Sequence, residues 1–381
     1  MASETVSAST VAPLNSPGRL LLGPGPSSVH PRILTAMGAP LVGHLDPFFM
    51  QVMAEIQAML RPIFGTFNPL TLTVPGTGTA AMEAGIANVL EPRDYILVCV
   101  KGFFGQRMAD IARRHMVSVQ VLEHAWGQVF TADEIRAALA RNPVKVVAIV
   151  HAETSTGVLQ PLDDIAHVVH ESGALLLVDA VTSLGGVPID IDRTGIDVCY
   201  SCSQKCLGSP PGLGPISLGS RAMEVLRRRQ TPVSPFYLDL GLLAGYWGPE
   251  HAYHHTAPIS AAFAFHEALR LVHEEGLAER YARHARVAQL LWDGLTAMGL
   301  ELFVPREHRL PTLTTVRVPI GVDDALVRRR LLEEYNIEIG AGFGELKGKI
   351  WRIGLMGHSC RTENVLVLLA ALERLLSEQS A

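Results

Sequence analysis

Between residues 70 and 178, short apolar runs of strand length alternate with segments that have the apolar period of a helix. The runs are rich in Leu, Ile and Val, are bounded by turn residues, and lie at 70–74, 95–100, 117–122, 144–150 and 175–178. Strands that are apolar on both faces and are connected by helices are typical of a parallel sheet covered by helices on both sides. The pattern therefore predicts a large α/β domain with a mostly parallel sheet.

The pattern changes after an irregular stretch at 231–258 that contains several Pro and Gly residues. Beyond it, longer helical segments flank two strand-like runs, which is typical of a smaller α+β unit. The first residues of the chain are rich in Ser, Thr and Pro. We therefore predict a flexible N-terminal arm over residues 1–18, a large domain over 19–275 and a smaller C-terminal α+β domain over 276–381.

The composition excludes several classes of partner. The 381 residues include 32 Lys and Arg against 37 Asp and Glu, a net charge of −5, whereas nucleic acids and anionic membranes attract strongly basic proteins. Hydrophobic residues make up 48% of the chain and charged residues 18%, so the chain is not disordered. The N-terminus has no secretory or mitochondrial signal, and five cysteines, an odd number, suit a reducing compartment. We expect a cytoplasmic protein with no nucleic-acid or membrane partner.

A glycine-rich turn, Pro-Gly-Thr-Gly-Thr at 75–79, joins a predicted strand to a predicted helix. The first N–H groups of a helix have no intrahelical partner, and the helix dipole attracts anions there. Gly78 leaves the backbone accessible, and the hydroxyls of Thr77 and Thr79 add hydrogen-bonding groups. The turn is a candidate phosphate site; a plain glycine turn with Thr79 as the helix cap is the alternative.

Two further residues have the character of catalytic groups. Asp179 ends the apolar run 175–178, so its carboxylate lies at the C-terminal edge of a buried strand, where open α/β sheets bind ligands. A turn-capping aspartate is the alternative. Lys205 is a lone lysine among small residues, just before a Gly/Pro-rich stretch. A desolvated lysine is a nucleophile that forms Schiff bases with carbonyl compounds.

Arg352 lies within an apolar strand-like run, Trp-Arg-Ile-Gly at 351–354. Buried arginine is rare without an anion, and its planar guanidinium binds a carboxylate through two hydrogen bonds. The run therefore predicts a carboxylate-binding arginine, with an internal salt bridge as the alternative.

No metal is predicted. Two groups of residues have side chains of the metal-binding types, but neither has a second ligand cluster or the spacing of a known motif. These groups are Cys199, Cys202 and Cys206, and His251, His254 and His255.

A phosphate cradle, a strand-end carboxylate, a desolvated lysine and a carboxylate-binding arginine fit one chemistry. Pyridoxal 5′-phosphate requires an anchor for its phosphate, an acidic partner for its ring nitrogen and a lysine for its aldehyde. An amino-acid substrate requires a group that holds its carboxylate. The combination therefore predicts a pyridoxal-phosphate enzyme with Lys205 and Asp179 as catalytic residues.

Seven segments spread over almost the whole chain match one known family. They are Leu-Gly-Pro-Gly-Pro-Ser at 22–27, Asn-Pro-Leu-Thr-Leu at 68–72, Glu-Thr-Ser-Thr-Gly-Val-Leu-Gln-Pro at 153–161, Val-Asp-Ala at 178–180, Ser-Gln-Lys at 203–205, Tyr-His-His-Thr at 253–256 and Trp-Arg-Ile-Gly at 351–354. From about residue 20 to residue 376 the chain resembles the class V, fold-type I aminotransferases of the alanine–glyoxylate, serine–glyoxylate and serine–pyruvate group.

The resemblance implies a fold-type I transferase that is a homodimer with composite active sites. Lys205 would bind the cofactor as a Schiff base, and Asp179 would pair with its ring nitrogen. Arg352 would bind the substrate carboxylate, and Gly25 and His44 would line the substrate pocket. The implied cofactor contacts are Thr77, Gly78, Thr79 and Gln204 at the phosphate, Thr154 near the ring hydroxyl, Phe104 on the ring where relatives often have Trp, and Tyr253 and Thr256 reaching the phosphate of the other subunit.

The resemblance implies amino transfer from a small amino acid, alanine or serine, to glyoxylate by a ping-pong mechanism that gives glycine and a 2-oxo acid. The segments 348–354 and 359–364 are also similar to bacterial ureidoglycine–glyoxylate aminotransferases of purine breakdown. We expect amides to recognise a ureido group, whereas His44 and Tyr253 occupy the corresponding positions, which favours the small amino acids. A cysteine desulfurase or lyase on the same fold is a further alternative, with Cys360 as the candidate thiol.

Overall fold

The computed structural model describes residues 12–379. Residues 1–11 of the predicted arm lie outside this range, and residues 12–18 are exposed and have no regular secondary structure. The described residues form fourteen strands and thirteen α-helices.

The strands are β1 (Leu20–Leu21), β2 (Leu70–Pro75), β3 (Tyr95–Val100), β4 (Ser118–Glu123), β5 (Val146–Val150), β6 (Ala152–Glu153), β7 (Val158–Leu159), β8 (Leu175–Asp179), β9 (Val198–Tyr200), β10 (Leu213–Leu218), β11 (Leu313–Arg317), β12 (Ile337–Glu338), β13 (Gly340–Ala341) and β14 (Ile350–Gly354). The helices are α1 (Pro31–Met37), α2 (Pro47–Phe64), α3 (Gly78–Val89), α4 (Phe103–Arg114), α5 (Ala132–Leu139), α6 (Asp163–Glu171), α7 (Ile191–Thr194), α8 (Ser220–Arg227), α9 (Leu240–Trp247), α10 (Ile259–Glu275), α11 (Leu277–Ala297), α12 (Asp324–Tyr335) and α13 (Thr362–Gln379).

A seven-stranded sheet in the order β2-β10-β9-β8-β5-β3-β4 forms the centre of the molecule. The neighbouring pairs from β9 to β4 are all parallel, and β10 is antiparallel to both β2 and β9. The predicted α/β fold with a mostly parallel sheet is confirmed.

The strands of this sheet are apolar on both faces because helices cover both. Alternate residues of β5 and β8 belong to two different cores. One core includes residues of α2, α5, α6 and α10, and the other includes residues of α3, α4, α8 and α9. This arrangement explains why the strands read as continuous apolar runs in the sequence.

Local capping signals set the ends of the helices that cover the sheet. The α2 helix begins after Asp46, whose carboxylate accepts a hydrogen bond from the N–H of Phe48 at 2.8 Å, and Pro47 occupies its first position. It ends at Gly65, where φ is +65°, a conformation that favours glycine. The helix boundaries thus follow from residue types that are visible in the sequence.

The C-terminal part of the chain forms a smaller unit around the sheet β11-β14-β13. Its apolar core includes residues of α11, α12 and α13 and of the strand β14. Leu22 is fully buried in this core, and β1 pairs in parallel with β12. The start of the chain thus packs on the smaller unit, and the predicted domain limits at 18/19 and 275/276 stay predictions.

No helix within residues 12–379 is both long enough and apolar enough to span a membrane. The same range contains all five cysteines, and each of them is buried as a free thiol.

Lys101 is buried at the C-terminal end of β3, with 1% of its surface exposed. Its Nζ donates a hydrogen bond to Oε1 of Gln160 at 2.7 Å, and no carboxylate oxygen of residues 12–379 lies within ion-pair distance. Burial lowers the pKa of Lys101 to about 7. The folded protein therefore disfavours the charged form of this side chain.

We predict that Lys101→Met increases the free energy of unfolding at pH 7 by on the order of 2–4 kcal/mol. At that pH the unfolded chain keeps the lysine fully protonated, whereas about half of the folded molecules have lost the proton, so burial of the ammonium group opposes folding. The gain should shrink as the pH rises from about 7 towards 10.5, because the unfolded lysine then loses its proton as well. Urea denaturation at pH 7 and pH 9.5 measures both effects.

Lys145→Met is the matched control for this prediction, since the ammonium of Lys145 forms a 2.6 Å ion pair with Asp94. It should give no stabilisation at pH 7. A destabilised Lys101→Met protein at pH 7 would contradict the prediction.

Candidate active site

A cavity of about 260 Å³ opens at the C-terminal edge of the central sheet. It is lined by Gly25, Pro26, Thr77, Gly78, Thr79, Met82, Phe104, Arg107, Asp179, Val181, Gln204, Lys205 and Pro211. The structure thus brings together eight of the residues singled out in the sequence. The other five, which do not line this cavity, are His44, Thr154, Tyr253, Thr256 and Arg352.

Asp179 is the last residue of β8 and is 1% exposed. One carboxylate oxygen accepts a hydrogen bond from the N–H of Val181 at 2.8 Å, and the other accepts one from the hydroxyl of Tyr200 at 2.9 Å. Tyr200 ends β9 directly opposite Asp179 in the parallel register. Burial raises the pKa of Asp179 to about 7, so a cation beside this carboxylate would favour its ionised form.

Lys205 lies in the turn that follows β9, and its side chain forms part of the cavity wall. Its Nζ donates a hydrogen bond to the carbonyl of Pro24, and its own carbonyl accepts one from the hydroxyl of Ser27 at 3.0 Å. Burial lowers the pKa of Lys205, and the positive charge of Arg352 lowers it further. A lysine with a lowered pKa is more readily neutral and nucleophilic.

Gly25 allows the segment around Pro24 to approach Lys205. A Cβ atom at position 25 would lie 2.5 Å from Nζ of Lys205 and 2.6 Å from its Cδ, and φ at Gly25 is +107°. Both the contact and the backbone conformation exclude a larger side chain without rearrangement.

The N-terminus of α3 borders the same cavity. Thr77 is its N-cap residue and makes no side-chain capping bond, and Thr77 and Thr79 are exposed. Gly78 is buried, and a Cβ atom there would lie 3.0 Å from Val181. Oε1 of Gln204, also in the cavity wall, is buried and has no hydrogen-bond partner among residues 12–379. Free helix N–H groups and the exposed threonine hydroxyls supply donors that are together suited to bind a phosphate.

Phe104 forms another part of the cavity wall, in the first turn of α4. Its N–H donates a hydrogen bond to Oε1 of the buried Glu153 at 3.4 Å, and its ring makes an edge contact with Phe103. Asp179, Lys205 and the α3 terminus therefore surround a space that has an aromatic ring in its wall. These residues fit the ring nitrogen, the aldehyde and the phosphate of pyridoxal phosphate.

Arg352 does not line this cavity, but it is close enough to Lys205 for its charge to lower the pKa of that lysine, and it is 3% exposed. Its Nε donates to the carbonyl of Ala341 at 2.6 Å, its Nη1 donates to the carbonyl of Thr154 at 3.1 Å, and its guanidinium lies 3.9 Å from the ring centroid of Phe343. No carboxylate of residues 12–379 forms an ion pair with it, so the described chain lacks the internal salt bridge that was its alternative. Burial lowers the pKa of Arg352 to about 10.

The remaining predicted residues lie elsewhere in the single chain. The hydroxyls of Thr154 and Thr182 share a hydrogen bond of 2.5 Å. The rings of His44 and Tyr253 are 5.4 Å apart, Tyr253 is 64% exposed and Thr256 is also exposed.

Sequence reasoning missed Tyr200, Glu153 and Arg107 as parts of this site. Tyr200 contacts Asp179 because their strands pair in register. Glu153 contacts Phe104 because two distant segments pack together. Neither contact is marked by a pattern of neighbouring residues in the sequence. Arg107 had one, because it follows Phe104 by one helical turn and so shares its face of α4.

The described residues contain no cluster of three or more His, Cys, Asp or Glu side chains that could hold a metal ion. The absence of a metal cofactor stays a prediction.

The fold and the site together define a fold-type I pyridoxal-phosphate enzyme. Residues 35–354 match the family model described as aminotransferase class-V. The chain belongs to the class V aminotransferases, its cofactor is pyridoxal phosphate, and the predicted family, fold and enzyme class are confirmed.

Three relatives cover nearly the whole chain. The alanine–glyoxylate aminotransferase of Callithrix jacchus is 43% identical over 96% of this chain and 89% of its own length. The (S)-ureidoglycine–glyoxylate transaminase of Bacillus subtilis is 40% identical over 97% of this chain and 93% of its own. A crystal structure of an alanine–glyoxylate aminotransferase from Nostoc sp. superposes with a TM-score of 0.95 at 54% identity, covering 96% of this chain and 97% of that one.

We predict that Gly25→Ala decreases the rate of transamination by about 10²-fold, since displacement of a catalytic group by about 1 Å has an effect of this size. The new methyl group would overlap the Lys205 side chain, so the variant should also bind pyridoxal phosphate poorly. Steady-state kinetics and the cofactor absorbance of the purified protein measure the two effects.

Gly18→Ala is the control, because a Cβ atom at Gly18 has no atom within 4 Å. It should behave as the wild type. A fully loaded and active Gly25→Ala enzyme would show that the Pro24 segment moves freely away from Lys205.

Proposed function

We propose that this enzyme transfers the amino group of a small amino acid, alanine foremost, to glyoxylate and releases glycine and a 2-oxo acid in a ping-pong cycle. The proposal rests on one observation: Lys205 and Asp179 line the same cavity. Arg352, a buried arginine without a carboxylate partner, lies close to Lys205. The alanine–glyoxylate aminotransferases of Callithrix jacchus and Nostoc sp. support the choice of substrates.

The bound cofactor supplies an aldehyde that condenses with amines and a ring that withdraws electrons from the reacting carbon. Thr77, Gly78, Thr79 and Gln204 are proposed to hold its phosphate. Asp179 is proposed to pair with the protonated ring nitrogen, whose positive charge offsets the burial that raises the pKa of this carboxyl. Phe104 is proposed to support the ring, and Thr154 to bind near the ring hydroxyl.

Lys205 is proposed to move the proton in each half-reaction. Once its amine is free and neutral, Lys205 would accept the proton from the substrate Cα and pass it to the former aldehyde carbon of the cofactor in the first half-reaction, and it would move a proton in the reverse direction in the second. The lowered pKa of Lys205 favours this role, because a neutral amine is the form that takes up a proton.

Arg352 is proposed to bind the carboxylate of the amino acid and, in the second half-reaction, that of glyoxylate. Its Nη1 and Nε already have carbonyl acceptors, and Nη2 has none among residues 12–379. The ring of Phe343 supports the guanidinium plane. Gly25 keeps the space beside Lys205 free of a side chain, which suits a small substrate.

The choice of amino donor rests on residues at the edge of the site. Relatives named for alanine and for ureidoglycine have similar identities, 43% and 40%, so overall similarity does not separate them. A ureido group offers several donors and an acceptor, which amide side chains complement. His44 and Tyr253 offer an imidazole and a phenol instead, which favours alanine or serine over ureidoglycine as donor.

The desulfurase alternative requires a mobile, exposed thiol. Cys360 is fully buried, and burial raises the pKa of its thiol to about 11. Such a thiol is neither accessible nor ionised at neutral pH, so this alternative is disfavoured.

A homodimer with composite sites completes the proposal. The exposed Tyr253 and Thr256 are proposed to reach the cofactor phosphate of the other subunit, and His44 to line a substrate pocket. Large exposed apolar residues that suit burial in a dimer interface occur in the neighbouring segments. They are Leu41, Leu45, Phe48, Phe236 and Leu242. Five buried free thiols also support the proposed cytoplasmic location.

The donor assay tests the reaction. With glyoxylate as acceptor, we expect alanine to have a kcat/KM at least about tenfold above that of ureidoglycine, a difference of ~1.4 kcal/mol in transition-state binding. Serine should react, and cysteine should release no sulfide. Lys205→Ala should lower turnover by about 10³-fold. Rapid reaction of ureidoglycine alone would favour the other aminotransferase, and wild-type turnover by Lys205→Ala would refute the assignment.

Mixed dimers test the composite site. Lys205→Ala and Tyr253→Ala should each impair every site of their homodimers. When the two variants are co-expressed, half of the dimers carry one intact site, so about a quarter of the wild-type activity should return. Activity that stays at the average of the two parents would show that each site belongs to one chain.

A further inference from the structure

Arg107 brings a positive charge into the cavity that none of the proposed roles uses. It lies on α4 one turn after Phe104 and lines the same cavity as Lys205. Its Nη1 donates a hydrogen bond to the hydroxyl of Thr79 at 3.1 Å. Thr79 is in the first turn of α3, so the guanidinium lies beside the helix terminus that is the candidate phosphate site.

This charge has no counter-ion in the described part of the chain. No carboxylate of residues 12–379 lies within ion-pair distance of Arg107. Its other close contacts are the rings of Phe103 and Phe104, whose centroids are each 5.0 Å from the guanidinium carbon. On the same helix, Arg113 by contrast forms an ion pair with Asp110 at 2.8 Å.

Two positive features therefore stand side by side at one wall of the cavity. The N-terminus of α3 carries a partial positive charge, and a half-buried guanidinium next to it is unfavourable unless an anion lies between them. The aromatic rings and the Thr79 hydroxyl hold the guanidinium in this position.

We propose that Arg107 binds the phosphate group of the cofactor, together with the α3 terminus. The guanidinium supplies charge-assisted hydrogen bonds that hydroxyls and backbone N–H groups do not. The inference rests on the proposed cofactor site and not on the identity of the amino donor. With this role for Arg107, the phosphate site combines the full positive charge of a guanidinium with the partial positive charge of the α3 N-terminus.

Cofactor binding by the full-length enzyme tests this role. The protein is stripped of cofactor and titrated with pyridoxal phosphate, and separately with pyridoxal, which lacks the phosphate. Arg107→Gln should weaken pyridoxal phosphate binding by about 10- to 100-fold, the range expected for a hydrogen bond to a charged group. It should leave the affinity for pyridoxal unchanged, and Arg107→Lys should recover part of the loss because it keeps the charge.

Arg114→Gln is the matched control, because Arg114 lies on the same helix and is exposed. It should bind both compounds as the wild type does. Inorganic phosphate should compete with pyridoxal phosphate less effectively in Arg107→Gln than in the wild type.

Two results would overturn the inference. An equal loss of affinity for pyridoxal and for pyridoxal phosphate would show that Arg107 only supports the aromatic wall. Unchanged affinity of Arg107→Gln for pyridoxal phosphate, with a raised KM for acidic substrates, would show that Arg107 binds the substrate and not the cofactor. Neither result depends on which amino donor the enzyme prefers. The cofactor titration therefore tests the role of Arg107, and the donor assay separately tests the proposed reaction.

Discussion

The buried carboxylate of Asp179 is the constraint around which the rest of the site is arranged. Removal of a carboxylate from water is costly, and here burial raises its pKa to about 7. Two fixed donors, the N–H of Val181 and the hydroxyl of Tyr200, hold both of its oxygens. Val181 follows Asp179 by two residues, whereas Tyr200 reaches the carboxylate because β9 lies in register beside β8. The sheet therefore determines the place and the protonation behaviour of the acid.

Three basic side chains in or beside the cavity form no ion pair within the described chain. Lys205, Arg352 and Arg107 all lie in or beside it, and none has a carboxylate of residues 12–379 within ion-pair distance. The whole chain has a net charge of −5, so this local excess is not a property of the composition. Such a site is suited to the phosphate of a cofactor and to the carboxylate of a substrate, because each anion supplies the counter-charge that the protein lacks.

Local sequence patterns predicted the groups that lie at the ends of regular elements. Asp179 ends a buried apolar run, Gly78 begins a helix, and Lys205 follows a short strand. Parallel strands end at one edge of the sheet, so residues in such positions meet without further information. The family resemblance added Phe104 and Gln204, which have no comparable local signal and which also line the cavity. Tyr200, Glu153 and Lys101 could not be predicted, because their partners are set by register and by packing between distant segments.

The amino-acid sequence by itself determined five of the seven strands of the central sheet, the helices that connect them and the two residues on which the chemistry depends. Apolar periodicity and turn residues act over a few neighbours, so they can be read along the chain. Only the tertiary structure decided that Gly25 contacts Lys205, that Leu22 packs with the C-terminal core, and that Arg107 reaches Thr79. These contacts join segments far apart in the chain, and their geometry depends on how the helices and the two units pack.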